Sequence, residues 1–467
     1  MTAAESTAPK NSGAQPTQTS KHTGLLIGAL VVSAMVMILN ETILSVALPS
    51  IMADFNVGAD LAQWLTTGFM LTMAVVIPTT GFLMQRFSTR TLFLAALTFF
   101  TLGTVVGALA PTFGVLLLAR VVQAIGTAMI MPLLMTVALT VVAPERRGVM
   151  MGIISVVISV APAIGPTISG IILSSFTWHW LFWMMVPISL ICLVVGGLVI
   201  RNVAEPRPAP FDVASVILSA LAFGGLVYAL SSISAMLAGG SLIPLAALIV
   251  GLLALAAFVY RQIVLQRSDR ALLSMNPFRS RTFTLSVITV VGAFGTMLGT
   301  VTVLPIYLQQ TLHLSAMTTG MMMLPGGLVQ AALSPAIGRL YDRVGPRPLA
   351  IPGTVLMLAA QIALFLGLNE TTSIGYIIVV HVVFSVGMAL VMTSLMTASL
   401  ASLPMKEYGH GSAILNTLQQ LGGAAGTAGF IAAMTLGGTV APAFVVGICA
   451  VSVALIAALF IRPAARS

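Results

Sequence analysis

An all-α integral membrane protein is the fold class this chain predicts, and three observations predict it. Of 467 residues, 58% are apolar and only 7% charged; a soluble chain carries roughly a quarter charged residues and could not cover its surface with so few. Long stretches free of Asp, Glu, Lys and Arg recur from residue 24 to residue 461, each long enough for one or two bilayer-crossing helices of about 20 residues. Once those helices are counted, the basic residues sort to one side, as the positive-inside rule demands.

Taken in order, the charge-free runs are 24–40, 61–85, 148–200, 213–260, 282–338, 348–369, 371–405 and 411–461, with 91–144 interrupted only by Arg120. The runs 91–144, 148–200, 213–260, 282–338 and 411–461 each hold a helix pair. Their turn signals are Pro111, Ser174–Ser175, Gly239–Gly240, Gln309–Ser315 and Gly437–Gly438. The remaining four runs hold one helix each, the first extending past Glu41 to about Leu48, so the expectation is fourteen spans. Nineteen of the twenty Lys and Arg then fall on the expected cytoplasmic side, while the opposite loops carry Asp54, Asp60 and Glu370 and no Lys or Arg. A miscounted helix would scramble that sorting. The formal charge of +9 is therefore a topology signal, not a nucleic-acid signal.

Residues 1–23, rich in Ser, Thr, Gln, Ala and Pro, read as a disordered cytoplasmic tail without the apolar core of a signal peptide. Residues 462–467 form a second short tail on the same side. Cys192 and Cys449 both sit in apolar runs and give no disulfide framework or thiolate metal site. A phosphate loop needs Gly-Lys, but Lys10, Lys21 and Lys406 follow Pro, Ser and Met. There is no GxSxG elbow, no metal-spaced His/Cys cluster and no haem site. An ATP-driven pump and a membrane enzyme are both excluded, and no cofactor is expected.

Two loops repeat. Residues 81–90 read GFLMQRFSTR and residues 338–347 read GRLYDRVGPR, so that Gly81, Leu83, Arg86 and Arg90 recur as Gly338, Leu340, Arg343 and Arg347. The offset of 257 residues equals about eight spans at the spacing of the first half. That fits two six-helix halves, 24–200 and 283–461, separated by a linker, 201–282, that carries two inserted helices. Duplicated halves mark secondary transporters, with the substrate site near midplane between them.

With those loops in view, the sequence resembles the major facilitator superfamily, in particular its fourteen-span drug:proton antiporter group. The fourth span reads LLLARVVQAIGTA, with Arg120, Gln123 and Gly126 at the family positions. The fifth-span antiporter motif is APAIGPTISG, with Gly152 upstream, Pro162, Gly165, Pro166 and Gly170 in place, and Ala161 and Ser169 where the family has Gly. The first span reads LNETILSVALP, most like the lincomycin-resistance-type exporters; the family aspartate falls at Asn40, and the acid here is Glu41. The resemblance covers nearly the whole chain from residue 24. It implies the major facilitator fold and drug export driven by the proton gradient, in a multi-pass protein of the cell membrane with both termini cytoplasmic. It also implies small amphipathic substrates, cationic or zwitterionic, handled by a monomer; export of one native metabolite, lipid precursor or antibiotic, or a non-transporting receptor or scaffold on the same fold, stays open beside it.

Glu41 and Arg120 are the two formally charged side chains well inside the expected spans. Placing an ionisable group in hydrocarbon costs at least about 2.5 kcal/mol, so each is a functional candidate. Each lies seven residues from the outer end of its span, about 10 Å at 1.5 Å per residue, and at that shared depth they could meet. Burial raises a carboxyl's affinity for protons and a guanidinium lowers it, so a substrate that alters either influence exchanges for a proton. The family resemblance implies the same two roles. The shift from position 40 to 41 turns the acid about 100° around the helix.

Other candidates carry two readings. His381, also within a span, is either part of a proton path or a hydrogen-bonded packing residue. Asn416, Gln419 and Gln420, with Asn40 and Gln123, suit either helix bonding or substrate contact. Met388 and Met392 are either a pliable cavity wall or packing filler. Pro162, Gly165, Pro166 and Gly170 give either a kinked helix that seals the halves or close packing. The loop residues Gly81, Gln85, Arg86 and Arg90, with Gly338, Asp342, Arg343 and Arg347, are candidate gate latches. Gln85 stands where the resemblance leads one to expect Asp, so the first copy lacks the charged contact.

Overall fold

The computed structural model describes residues 17–203, 212–233, 242–268 and 270–461, whose regular structure is all helical. In chain order the long helices are α1 (Thr17–Phe55), α2 (Trp64–Arg86), α3 (Thr89–Ala108), α4 (Phe113–Val141), α5 (Arg147–Leu173) and α6 (His179–Val199). Then come α7 (Val213–Ser231) and α8 (Ile243–Leu265). The last six are α9 (Arg281–Gln310), α10 (Ala316–Val344), α11 (Arg347–Gly367), α12 (Ile374–Ala401), α13 (Tyr408–Gly437) and α14 (Ala441–Leu459). Helices are the natural outcome, because an open backbone group in hydrocarbon costs several kcal/mol and a helix satisfies its own.

The turn chemistry sets the breaks. Ser88, Thr112, Ser280, Ser315 and Ser373 each cap a helix by accepting from the amide three residues on. Gly345 (φ 78°) ends α10 and Gly438 (φ 67°) ends α13 in backbone conformations that favour glycine.

Two expectations differ in detail from the structure. Among the described residues, twelve of the fourteen long helices are long and apolar enough to cross a bilayer by length and composition. Outside that set lie α5, of 27 residues, and α13, of 30. In α13 the hydropathy is diluted by His410, Asn416, Gln419, Gln420 and seven glycines. The tail is also shorter than expected, since α1 already begins at Thr17. Once the apolar run has nucleated a helix, extending it back through Ser20, Lys21 and His22 costs only tenths of a kcal/mol per residue. Residues 1–16 and 462–467 lie outside the described residues.

The repeat is visible in the packing. In the first half α4 packs on α1, α2 and α3, and α5 and α6 pack on α1; in the second, α9 packs on α12, α13 and α14, while α11 joins α12 and α14. Between the halves α5 meets α10 and α12, and α13 meets α2 and α4. The second pair of contacts is the first with the two halves exchanged, which is what a pseudo-two-fold relation produces. Small residues let these helices approach. A Cβ on Gly126 would overlap the Ala96 carbonyl of α3, and one on Gly426 the Gly295 carbonyl of α9.

The inserted pair sits at one seam. Helix α7, with a π-turn over Ala220–Gly224, lies against both α2 and α13, and α8 packs on α7. Trp64 of α2 stacks on Tyr228 of α7 at 5.8 Å between ring centroids. At the other end Arg261 clamps Asp212 through two hydrogen bonds of 2.8 and 2.9 Å. That guanidinium holds the Asp212 carboxyl down to about 2.

Candidate functional site

Arg120 lies in the second turn of α4 at 1% exposure, among the most buried large side chains of the protein. Its Nη1 donates to Gln123 Oε1 (2.9 Å), its Nε to the Leu65 carbonyl (3.4 Å), and the guanidinium lies 4.1 Å over the Phe69 ring. Gln123 passes the chain on, its Nε2 donating to Thr104 Oγ1 (2.9 Å) of α3. A cation so placed is held by one amide, one carbonyl and one ring face, none of which can neutralise its charge.

Among the described residues, the carboxylate whose charge acts on Arg120 is Glu41. The two do not form a direct ion pair, because the single ion pair within 4.0 Å among the described residues is Arg261–Asp212. Glu41 is partly exposed, whereas Asn40, at the family's aspartate position, is 5% exposed and has its amide nitrogen unpartnered. The one-residue shift thus has a structural effect. Asn40 takes the buried position, and Glu41, one residue on, is partly exposed while remaining within electrostatic reach of the arginine.

The remaining candidates divide by place. Gln123, at 0% exposure, belongs to the arginine network rather than to an open cavity wall. Met388 and Met392 are core residues of α12, so they pack and do not line an open cavity. His381 is buried between α12 and α10, where it packs on Gly326 and hydrogen-bonds the Met323 backbone, apart from the Glu41–Arg120 pair. Gln419 is buried; Asn416 and Gln420 instead reach across the midline, Asn416 Nδ2 to Met135 Sδ (3.4 Å) and Gln420 Nε2 to Met73 Sδ (4.0 Å).

Around this centre the two halves are fastened at the basic end. Asp342 of α10 accepts from the first amides of α5, Gly148 N (2.8 Å) and Val149 N (3.2 Å). The backbones meet directly, and a Cβ on Gly338 would overlap the Gly148 carbonyl. At the pseudo-equivalent place Gln85 of α2 reaches His410 of α13, Nε2 to Nε2, at 2.6 Å, with Gly81 packed on the same imidazole. Hydroxyl pairs continue both seams inward, Thr136–Ser412 (2.9 Å) and Thr393–Ser155 (3.2 Å). Toward the other end, among the described residues, α1 and α9 make no extended interface, and Gly170 and Gly320 face open space. The basic end is the sealed end.

This corrects the gating assignment in part. The seal between α5 and α10 uses Gly148 and Gly152, ahead of the antiporter motif; Gly165 packs on Thr42 of α1, inside the first half. Helix α5 runs unbroken through the motif, while the side chains of Pro162 and Pro166 lie outside the described residues. Arg86, Arg90, Arg343 and Arg347 are exposed at the helix ends, while the Gly and the Gln or Asp of each loop make contacts across the seams. The sequence reading missed Phe69, Leu65 and Thr104 around the arginine, and His410. A histidine one turn into a helix that faces a Gln-bearing motif loop was the available signal for the last.

Comparison with known proteins agrees with this architecture. The family model described as Major Facilitator Superfamily matches residues 30–427. The Bacillus subtilis (strain 168) protein described as uncharacterized MFS-type transporter YcnB is 43% identical over 411 residues, covering 88% of this chain and 86% of its own. The lincomycin resistance protein LmrB of Listeria monocytogenes is 39% identical over 462 residues, covering 94% and 97%. Among solved structures, the human organic anion transporter MFSD10 (TETRAN) superposes with a TM-score of 0.69 at 15% identity, over 96% of this chain and 100% of that one, a likeness of fold. On the family match, the duplicated halves and the shared fold, the chain belongs to the major facilitator superfamily of membrane transporters.

Proposed function

We propose that this multi-pass membrane transporter is a proton-coupled exporter of amphipathic drugs, cationic or zwitterionic, with Glu41 as the proton carrier and Arg120 as the fixed charge that tunes it. The single observation that carries the proposal is the isolation of this pair. Arg120 is fully sequestered, its direct partners are all neutral, and among the described residues Glu41 is the one acid within electrostatic reach. A substrate cation that approaches Glu41 competes with a proton for the same carboxylate, and that competition suffices for one-for-one exchange. One-for-one exchange of a monovalent cation is electroneutral and draws on the pH gradient alone, whereas with a zwitterionic substrate the transmembrane potential adds about 2.3 kcal/mol per charge per 100 mV. The relative named for lincomycin resistance supports an antibiotic-exporting role.

The same reading includes fourteen crossings, with α5 and α13 inside the bilayer, both termini cytoplasmic, and the cell membrane as the site of action of a monomer. Sealing at the basic end then corresponds to an outward-facing state. The protein is a transporter and not an enzyme, and the cycle needs no cofactor beyond the proton gradient. The test is dye efflux from vesicles with an imposed pH gradient. Wild type is expected to export against a concentration gradient and Glu41→Gln to equilibrate only; concentrative export by Glu41→Gln refutes the assignment. A dye profile confined to one compound favours a dedicated metabolite exporter in its place.

A further inference from the structure

The two latches at the sealed end are related by the pseudo-two-fold relation but differ in chemistry. In one, the Asp342 carboxylate caps the amides of Gly148 and Val149. In the other, a neutral amide, Gln85, meets an imidazole, His410, at 2.6 Å. His410 is 4% exposed, and its Nδ1 has no hydrogen-bond partner. Gly81 makes the fit possible, since a Cβ there would come within 2.8 Å of that Nδ1. One turn earlier, at the α13 N-cap, Glu407 is also buried; Asn276 Nδ2 approaches its Oε1 at 3.4 Å and its Oε2 has no partner.

We propose that His410 is a second proton-binding site, serving the cytoplasmic latch rather than the Glu41 centre, and that the latch closes only over the neutral imidazole. Imidazole is the one group in either latch that titrates near neutral pH. While α2 and α13 are together, the seam excludes water, and a charge there loses its hydration. When they part, the imidazole meets cytoplasmic water and takes a proton freely. A protonated His410 then opposes reclosure, so cytoplasmic acid holds the carrier inward-facing.

The charged residues on the surrounding elements do not reverse this sign. They are Glu407 and Lys406 ahead of α13, Arg86 at the end of α2, Arg281 at the start of α9 and Arg147 at the start of α5, the last with its guanidinium 5.6 Å from the Tyr408 ring centre. Of these, Glu407 is the one whose charge acts on His410, and it favours the imidazolium; burial in the seam opposes it and is the larger influence. On α4 and α12 the groups that face the seams are the hydroxyls of Thr136 and Thr393.

The inference needs the fold and the orientation, not the transport reading, and its test reads conformation. Cysteines at Phe87 and Met405, both exposed at the sealed end, carry spin labels in nanodisc-embedded protein whose Cys192 and Cys449 are replaced by Ala and Glu41 by Gln. An open-state imidazole with the ordinary value near 6.5 is about ten-to-one protonated at pH 5.5. The ratio of separated to closed distances is therefore expected to rise about tenfold from pH 8 to pH 5.5. In His410→Gln that rise is expected to vanish, although His22, His179, His313 and His381 remain. Gln85→Ala, which keeps the imidazole, is expected to raise the separated fraction at pH 8 and retain the pH response. A flat or inverted response in the parent, or an unchanged response in His410→Gln, overturns the proposal.

Discussion

Asp342→Asn is the most informative perturbation of the seal. The carboxylate bridges two amides at the first turn of α5, with bonds of 2.8 and 3.2 Å, and does so from the opposite half of the molecule. Such bonds to an anion are roughly twice as strong as neutral ones. Removing a good N-cap costs about 0.5–2 kcal/mol, and the charge–helix interaction adds about 0.3–1 kcal/mol. Asn keeps one acceptor oxygen and the side chain is partly exposed, so the net loss is about 1–2 kcal/mol. Because the contact exists only while the halves are sealed, that loss falls on one side of the conformational equilibrium. A shift of this size lowers the ratio of sealed to open molecules about 5- to 30-fold. Distance distributions between spin labels at the sealed ends of α5 and α10 read it directly. An unchanged distribution in Asp342→Asn refutes the reasoning, as does a larger shift for Asn than for Ala.

Further outcomes follow from the same contacts. Gly148→Val is expected to shift the equilibrium in the same direction and further, because its Cβ already overlaps the Gly338 carbonyl and lies 2.6 Å from Asp342 Oδ1; thiol accessibility at the sealed end checks this. Arg120→Lys keeps the charge but loses the planar group that serves Gln123, Leu65 and Phe69 together; transport is expected to fall at least about tenfold, the equivalent of 1.4 kcal/mol, at unchanged expression. Asp212 is held well below its ordinary value, so its contribution is complete above about pH 4 and is lost as pH falls toward about 2. Melting temperatures are expected to drop across that acid window in wild type, with the step absent in Asp212→Asn.

Much of the fold is legible in the sequence because the bilayer leaves few options. Runs free of charge, the one-sided arginines and the repeated loop lead to the helix order, the two halves and the inserted pair without reference to any tertiary contact. The places that resist sequence reading are those decided by rotation about a helix axis. Glu41 and Arg120 share a depth, yet depth alone does not bring them into contact, because Arg120 is already turned onto Phe69 and Gln123. Met388 and Met392 have the spacing of a cavity wall, and only the packing of α12 reveals that this face is interior. His410 carries no motif of its own; its importance comes from Gln85, 325 residues away. Hydropathy likewise sets α13 apart from the other long helices, because its polar side chains are spent on contacts between the halves.

The central claim is that Glu41 exchanges its proton for substrate under the influence of Arg120. It is tested most directly by adding a tight-binding cationic substrate to purified protein in weakly buffered solution and following pH. The account predicts proton release that saturates with binding in wild type and is absent in Glu41→Gln, even where that variant still binds. Undiminished release from Glu41→Gln, or binding by wild type without any release, contradicts it.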